Sequence, residues 1–277
     1  MQLANVQWTT ILDRSRWPIG LALAAAGFMA VASLGGVLLP ATYANEAPGW
    51  AVQALAQDWF DLVVVCPLLL AGAILSLRGS AIATSVLTGG VLFVVYSFLI
   101  YTFDVHFNAL FLVYCAMLGL AGYSLIGLVA GAMRPPLREL QGRGTARFTG
   151  WLLVAVAALF AALWLKEIVP AIMSGSTPDV LRASGLPTNP VQVIDLSFFL
   201  PAQAMVGASL LRRRPLGFAL APALLVFGVL MSALIVINQV LALPQAEPGA
   251  IVAPVMLGLV LAAYLAALVP VVRSMRR

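Results

Sequence analysis

Apolar runs close to the ~20 residues that a helix needs to cross ~30 Å of hydrocarbon recur eight times along the 277-residue chain. They fall at about 17–40, 59–77, 82–103, 109–131, 148–169, 192–211, 216–237 and 250–272. Inside hydrocarbon every backbone N–H and C=O must find its partner within the chain, and runs of this length satisfy that demand as helices. With 62% hydrophobic and 9% charged residues, the chain carries more apolar surface than one soluble core can hide. The expected fold is therefore all-α, a polytopic bundle of eight transmembrane helices.

The first run follows Arg14 and Arg16 as a signal peptide would, but it exceeds the ~7–15 residues of such an apolar region. It is expected to stay in the mature protein. Basic residues then orient the bundle. Arg14, Arg16, Arg78, Arg134, Arg138, Arg143, Arg147, Arg212, Arg213, Arg214, Arg273, Arg276 and Arg277 all fall on one side, leaving Lys166 and Arg182 opposite. By the positive-inside rule this side, with both termini, is cytoplasmic. The net charge of +5 reads as a topology signal and an attraction to anionic lipid head groups at that face, with no nucleic-acid footprint. The acids are distributed the other way: Asp13 and Glu139 inside, and Glu46, Asp58, Asp61, Asp104, Glu167, Asp179, Asp195 and Glu247 outside.

A frame of Asp-Leu, four residues, Pro, ten residues, Arg occurs twice, as Asp61, Leu62, Pro67, Arg78 and as Asp195, Leu196, Pro201, Arg212. The offset of 134 residues also superimposes Trp17 on Trp151 and Phe93 on Phe227. Two related halves are expected: residues 1–133, a cytoplasmic hinge at 134–147, and residues 148–277. Four helices per half make the repeats parallel, with a pseudo-axis along the membrane normal. Each half carries one long outer loop. Residues 41–58 include an amphipathic stretch, Ala51 to Gln57, suited to the interface. Residues 170–191, rich in Gly and Pro, read as a non-helical cover.

Chemistry is expected where polar groups enter these apolar segments. Asp61 and Asp195 lie just inside the outer ends of their helices, where an uncompensated carboxylate costs several kcal/mol. Two readings stand for each: a functional carboxylate, or a cap on a helix N-terminus. Pro67 and Pro201 follow and should kink both helices. The turn after helix 3 gathers Asp104, His106 and Asn108, and the 134-residue offset places Asn238 opposite Asp104. His106 with Asp104 reads as a proton-handling pair, as half of a metal site, or as a capped turn with the His at the interface. One imidazole without a second His or Cys at ligand spacing is a poor metal site, so no metal is assigned. Lys166, the only lysine, and Glu167 close helix 5, with snorkelling the simplest role for the ammonium.

Several chemistries have no support. Cys66 and Cys115 are isolated in apolar segments, and no phosphate-binding loop, Gly-x-Ser-x-Gly elbow or His-Glu-x-x-His stretch occurs. No catalytic residue and no cofactor is expected. The stretches Leu186-Pro187-Thr188-Asn189-Pro190-Val191, running on through Val193, Asp195, Leu196, Phe199 and Pro201, and Val105-His106-Phe107-Asn108 before Leu110 to Tyr114, resemble a set of uncharacterised bacterial multi-pass membrane proteins. Those proteins carry His where this chain has Gln192, which leaves no second imidazole near Asp195. The resemblance implies a bacterial inner (plasma) membrane location and no particular activity.

The expectation is an acidic outer-face pocket formed by Asp61, Asp104, His106, Asn108, Asp195 and Asn238, serving a transporter or carrier of a cation or small polar solute. Two alternatives stand beside it. One is a non-catalytic accessory or sensory subunit of an envelope complex, with a membrane-protein partner. The other is an intramembrane enzyme acting on lipid-linked substrates. The inner halves of the helices carry few polar residues beyond Ser76, Ser124 and Gln203, which favours the accessory reading over transport.

Overall fold

The computed structural model describes residues 16–133, 142–178, 181–182, 186–242 and 251–275. Among these, eight helices are long and apolar enough to cross a membrane, the make-up of a multi-pass membrane protein. They are α1 (Trp17–Leu38), α2 (Pro48–Leu77), α3 (Ala81–Asp104), α4 (Phe111–Ala132), α5 (Arg143–Ser174), α6 (Pro190–Leu211), α7 (Pro215–Ala242) and α8 (Val252–Met275). Arg14, Arg134, Arg138, Arg276, Arg277, Asp13, Glu139, Asp179 and Glu247, with most of the 134–147 hinge, lie outside the described residues.

Local chemistry starts the helices. Pro sits at the first position of α2, α6 and α7 and at the second of α1, where its missing N–H is no loss and its φ already suits a helix. Ser80 caps α3 by accepting from the Ala83 N–H at 3.2 Å. Asn189 caps α6, its Oδ1 accepting from Val191 N at 3.0 Å and from Gln192 N at 3.3 Å.

Three boundaries differ from the sequence expectation. Helix α2 begins at Pro48, so the amphipathic stretch Ala51 to Gln57 is the first part of the span rather than an interfacial segment. Only residues 39–47, with a 3-10 turn at Pro40–Tyr43, separate it from α1. Helix α5 runs on through Lys166, Glu167 and Pro170 to Ser174, so the charged pair lies within the helix instead of closing it. In the second long loop Leu181 and Arg182 are helical, and their N–H groups donate to Pro178 O at 3.1 Å each, where a non-helical cover was expected.

Helices α3 and α7 are the most buried of the eight spans and cross at the centre. Their contact needs Gly89: a Cβ there would stand 2.5 Å from Ala223 O and 2.6 Å from Val226 Cβ. Small residues at such crossings let backbones approach. Around this axis α1 packs on α4 and α2, and α5 on α6, while α8 packs on α7. One hydrophobic core draws on α1 to α4 together with Val226, Phe227, Leu230 and Leu234 of α7; a second draws on α5 to α8. Outward-facing side chains such as Val63, Leu70, Leu112, Ile126, Trp151 and Leu259 are apolar and exposed, the surface a bilayer requires.

Helices α2 and α6 share an irregularity. Each contains five residues of π-helix, Asp61–Val65 and Asp195–Phe199, at the same 134-residue offset. Cys66 N donates to Asp61 O and Leu200 N to Asp195 O, the i to i−5 pattern. Pro67 and Pro201 follow after one intervening residue. A proline ring clashes with the carbonyl four residues earlier, and a widened turn just before it accommodates the ring without breaking the helix.

Because α3 and α7 meet backbone to backbone, Gly89→Ala is expected to overpack the crossing, costing about 1–3 kcal/mol. Its melting temperature in detergent should fall. Gly20→Ala, with open space around the added methyl, should not lower it.

Candidate functional site

A partly open cavity of about 520 Å³ lies between α2 and α3 on one side and α5 to α8 on the other. At one end it reaches Trp50, Leu181 and Leu186 beside the long loops, and it extends inward to Gln203 and Tyr264. Its walls are chiefly aromatic and aliphatic. Tyr96, Phe199 and Phe227 form one panel, with ring centroids 5.7, 5.6 and 4.4 Å apart. Trp50 and Tyr101, 5.8 Å apart, form another.

Two carboxyl groups line this space. Asp195 is 6% exposed; Tyr96 Oη donates to its Oδ1 at 2.9 Å and Trp164 Nε1 donates to its Oδ2 at 2.8 Å. Both donors are neutral, so they orient the carboxyl without cancelling a charge on it. Asp104 is held by Trp50, whose Nε1 donates to Oδ2 at 3.2 Å. Asn238 also lines the cavity, and its Oδ1 is buried without a hydrogen-bond partner. At the inner limit Gln203 is fully buried: its Nε2 donates to Leu153 O at 3.0 Å, and Tyr264 Oη donates to its Oε1 at 3.3 Å.

Of the six residues expected to share one pocket, the cavity gathers Asp104, Asp195 and Asn238. Asn108 shapes the turn before α4, accepting from Leu110 N at 2.8 Å and donating to Thr42 O at 3.3 Å. His106 is 58% exposed and pairs with Glu46 rather than Asp104; its Nδ1 lies 3.1 Å from both Glu46 oxygens and its backbone N–H donates to Oε1 at 2.8 Å. Among the described residues no group of three or more His, Cys, Asp or Glu could hold a metal ion.

Asp61 is fully buried away from the cavity, and neither of its oxygens makes a hydrogen bond of ordinary geometry, although Gln57 lies beside it. The cap reading fails for both Asp61 and Asp195. Asp61 sits thirteen residues beyond the first residue of α2, and Asn189 already caps α6. The contrast between the two carboxyls has a local cause. Asp195 takes its donors from Trp164 on α5 and Tyr96 on α3; the positions 134 residues away are Ala30 and Leu230, which have none to give.

Three residues before Asp61, the buried Asp58 accepts from Tyr43 Oη at 2.7 Å on Oδ2. Gly36 makes room for this pair, since a Cβ there would stand 1.9 Å from Asp58 Oδ2 and 2.7 Å from Tyr43 Oη. Burial, reinforced by Asp58, pushes the Tyr43 phenol far above its ordinary range, so it stays protonated and donates.

Sequence reasoning left out Tyr96, Trp164 and Tyr264. The signal that could have found them is that a Tyr or Trp buried in an apolar span needs a partner for its polar atom. No protein-family model, curated protein or solved structure matches this chain. Replacing Tyr96 or Trp164 by Phe should leave the buried Asp195 short of one donor and cost about 1–3 kcal/mol. Both variants should melt earlier in detergent than the parent, and Trp59→Phe, an exposed position, should not.

Proposed function

We propose that this chain binds a small, partly apolar organic cation in the cavity between its halves, as a carrier in the plasma membrane of a bacterium. The observation that carries the reading is Asp195, a buried carboxyl held by two neutral donors in an aromatic-walled cavity of about 520 Å³. That volume is within the range of sites for drug-sized ligands. A carboxylate gives an ammonium its counter-charge, and the faces of Trp and Tyr rings add cation–π attraction while the apolar walls take the hydrocarbon body. A neutral polar solute would find few convergent hydrogen-bonding groups on these walls.

The halves are proposed to be parallel repeats, with both termini cytoplasmic and anionic lipid at the arginine-bearing face. Support comes from the paired π-helical turns, from the crossing of Gly89 with Ala223, and from the Asp104 and Asn238 pair, each separated by 134 residues.

A sensory or accessory role is the second reading, favoured by what lies beneath the cavity. Gln203 is spent on Leu153 O and Tyr264, Ser76 Oγ donates to Gly72 O at 2.6 Å, and Ser124 Oγ donates to Pro18 O at 2.7 Å. These polar groups are engaged by backbone carbonyls and, for Gln203, by Tyr264 as well.

Tryptophan fluorescence reads binding directly, because Trp50 and Trp164 line the cavity. Titration with amphipathic amines and with their uncharged isosteres should show a preference for the amines, and Asp195→Asn should weaken amine binding about tenfold or more, or ~1.4 kcal/mol, with the isosteres unaffected. Equal affinity for charged and uncharged forms would sink the reading. Uptake of the same amine into proteoliposomes decides between carrier and sensor. For orientation, reporter fusions after Arg143 and after Thr188 should report opposite sides of the membrane.

A further inference from the structure

Between α1, α2 and α4 lies a second polar cluster, walled off from solvent and distinct from the cavity. Asp58 and Asp61, 1% and 0% exposed, are three residues apart on α2 and so share a face. Around them the cluster presents Ser33 of α1, Gln57 of α2, Tyr43 from the 3-10 turn and Tyr114 of α4. The one well-formed hydrogen bond to the carboxyls runs from Tyr43 to Asp58; Ser33 beside Asp58 and Gln57 beside Asp61 are polar neighbours without good hydrogen-bond geometry. Five buried atoms make no hydrogen bond of ordinary geometry: Asp61 Oδ1 and Oδ2, Ser33 Oγ, Gln57 Nε2 and Tyr114 Oη.

Native proteins rarely leave one buried polar atom unsatisfied, and a concentration of them around paired carboxyls calls for a bound species. Four of the five are oxygens, the donor type that hard cations select. We propose that Asp58 and Asp61 hold a single positive charge between them, supplied as Na⁺ or as a proton. The second half explains why one site suffices. At the 134-residue offset Gln192 stands for Asp58 and Glu167 for Ser33, and Gln192 Nε2 donates to Glu167 Oε2 at 2.9 Å. There an amide replaces one carboxyl of the α-helix pair, Asp195 has its own two donors, and no cation is called for.

The site borders the cavity through Gln57, which lines the cavity and neighbours Asp61. An ion there adjoins the wall that meets the organic ligand, which is the arrangement a coupling ion requires. Its existence does not depend on what the cavity binds.

The purified full chain, without organic ligand, is melted in detergent while NaCl replaces choline chloride at constant ionic strength, and then over about pH 5 to 7.5 without Na⁺. If Na⁺ is the ion, the melting temperature rises saturably with Na⁺. If a proton is, Na⁺ has no effect and stability falls as pH rises and the proton is withdrawn. Tyr43, Cys66, Tyr101 and Tyr114 face the carboxyls, and comparison with Asp61→Asn removes the share of every group outside the cluster, His106 and Glu46 in the loops included. The proposal requires Asp61→Asn to abolish whichever dependence is found. Ser33→Ala, which keeps both carboxyls and serves if Asp61→Asn does not fold, should weaken apparent ion affinity severalfold. A wild-type protein indifferent to both Na⁺ and pH overturns the proposal, as does a dependence that survives in both variants. Neither result bears on amine binding in the cavity.

Discussion

Hydrocarbon supplies no hydrogen bonds, so each polar side chain placed between these helices depends on a donor or acceptor carried by the protein itself. That scarcity divides the polar residues into two groups. Ser124 and Gln203 reach backbone carbonyls of other helices and tie helices together, while Ser76 bonds the Gly72 carbonyl of its own helix. Asp58, Asp61 and Asp195 are acceptors when ionised, and carbonyls cannot serve them. Their surroundings are set by whether a Tyr or Trp happens to point inward at the right turn. Asp195 has Tyr96 and Trp164, Asp58 has Tyr43, and Asp61 has no such partner.

The π-helical turns act on the same problem from the backbone side. Each begins at the aspartate and ends one residue before the residue preceding a proline, so the helix is widened where its hydrogen-bond ladder is about to lose an N–H. The widening lets α2 and α6 continue across the bundle with Asp61 and Asp195 buried instead of breaking at Pro67 and Pro201. A helix ending there would expose unpaired carbonyls to lipid.

The architecture was legible because crossing a bilayer imposes a length and a polarity that a single sequence shows directly. The boundaries that shifted are those where a helix continues past the apolar run: α2 begins at Pro48 in a stretch with Gln53, Gln57 and Asp58, and α5 continues beyond Lys166 and Glu167. Of the candidate site, the doubled frame pointed to Asp61 and Asp195, both of which are buried and begin π-helical turns, but could not say that their environments differ. That difference rests on Tyr96 and Trp164, 99 and 31 residues from Asp195 along the chain. The turn at His106 shows the same limit. Its neighbour in sequence is Asp104, yet it pairs with Glu46, 60 residues away, because the 39–47 segment folds over that end of α3.

The two aspartates stand at matching places in the doubled frame and begin matching π-helical turns, yet the residues around them differ. Ala30 and Leu230 withhold donors from Asp61, where Trp164 and Tyr96 supply them to Asp195. Asp58 adds a second carboxyl beside Asp61, where Gln192 adds an amide that is engaged by Glu167. The bulky rings that hold Asp195 also wall the cavity around it, so one aspartate faces a space large enough for an organic ligand. The small Ala30 supplies no comparable wall, and Asp61 is fully buried outside that cavity. The same exchange of Trp for Ala thus bears on both the donors a carboxyl has and the wall beside it.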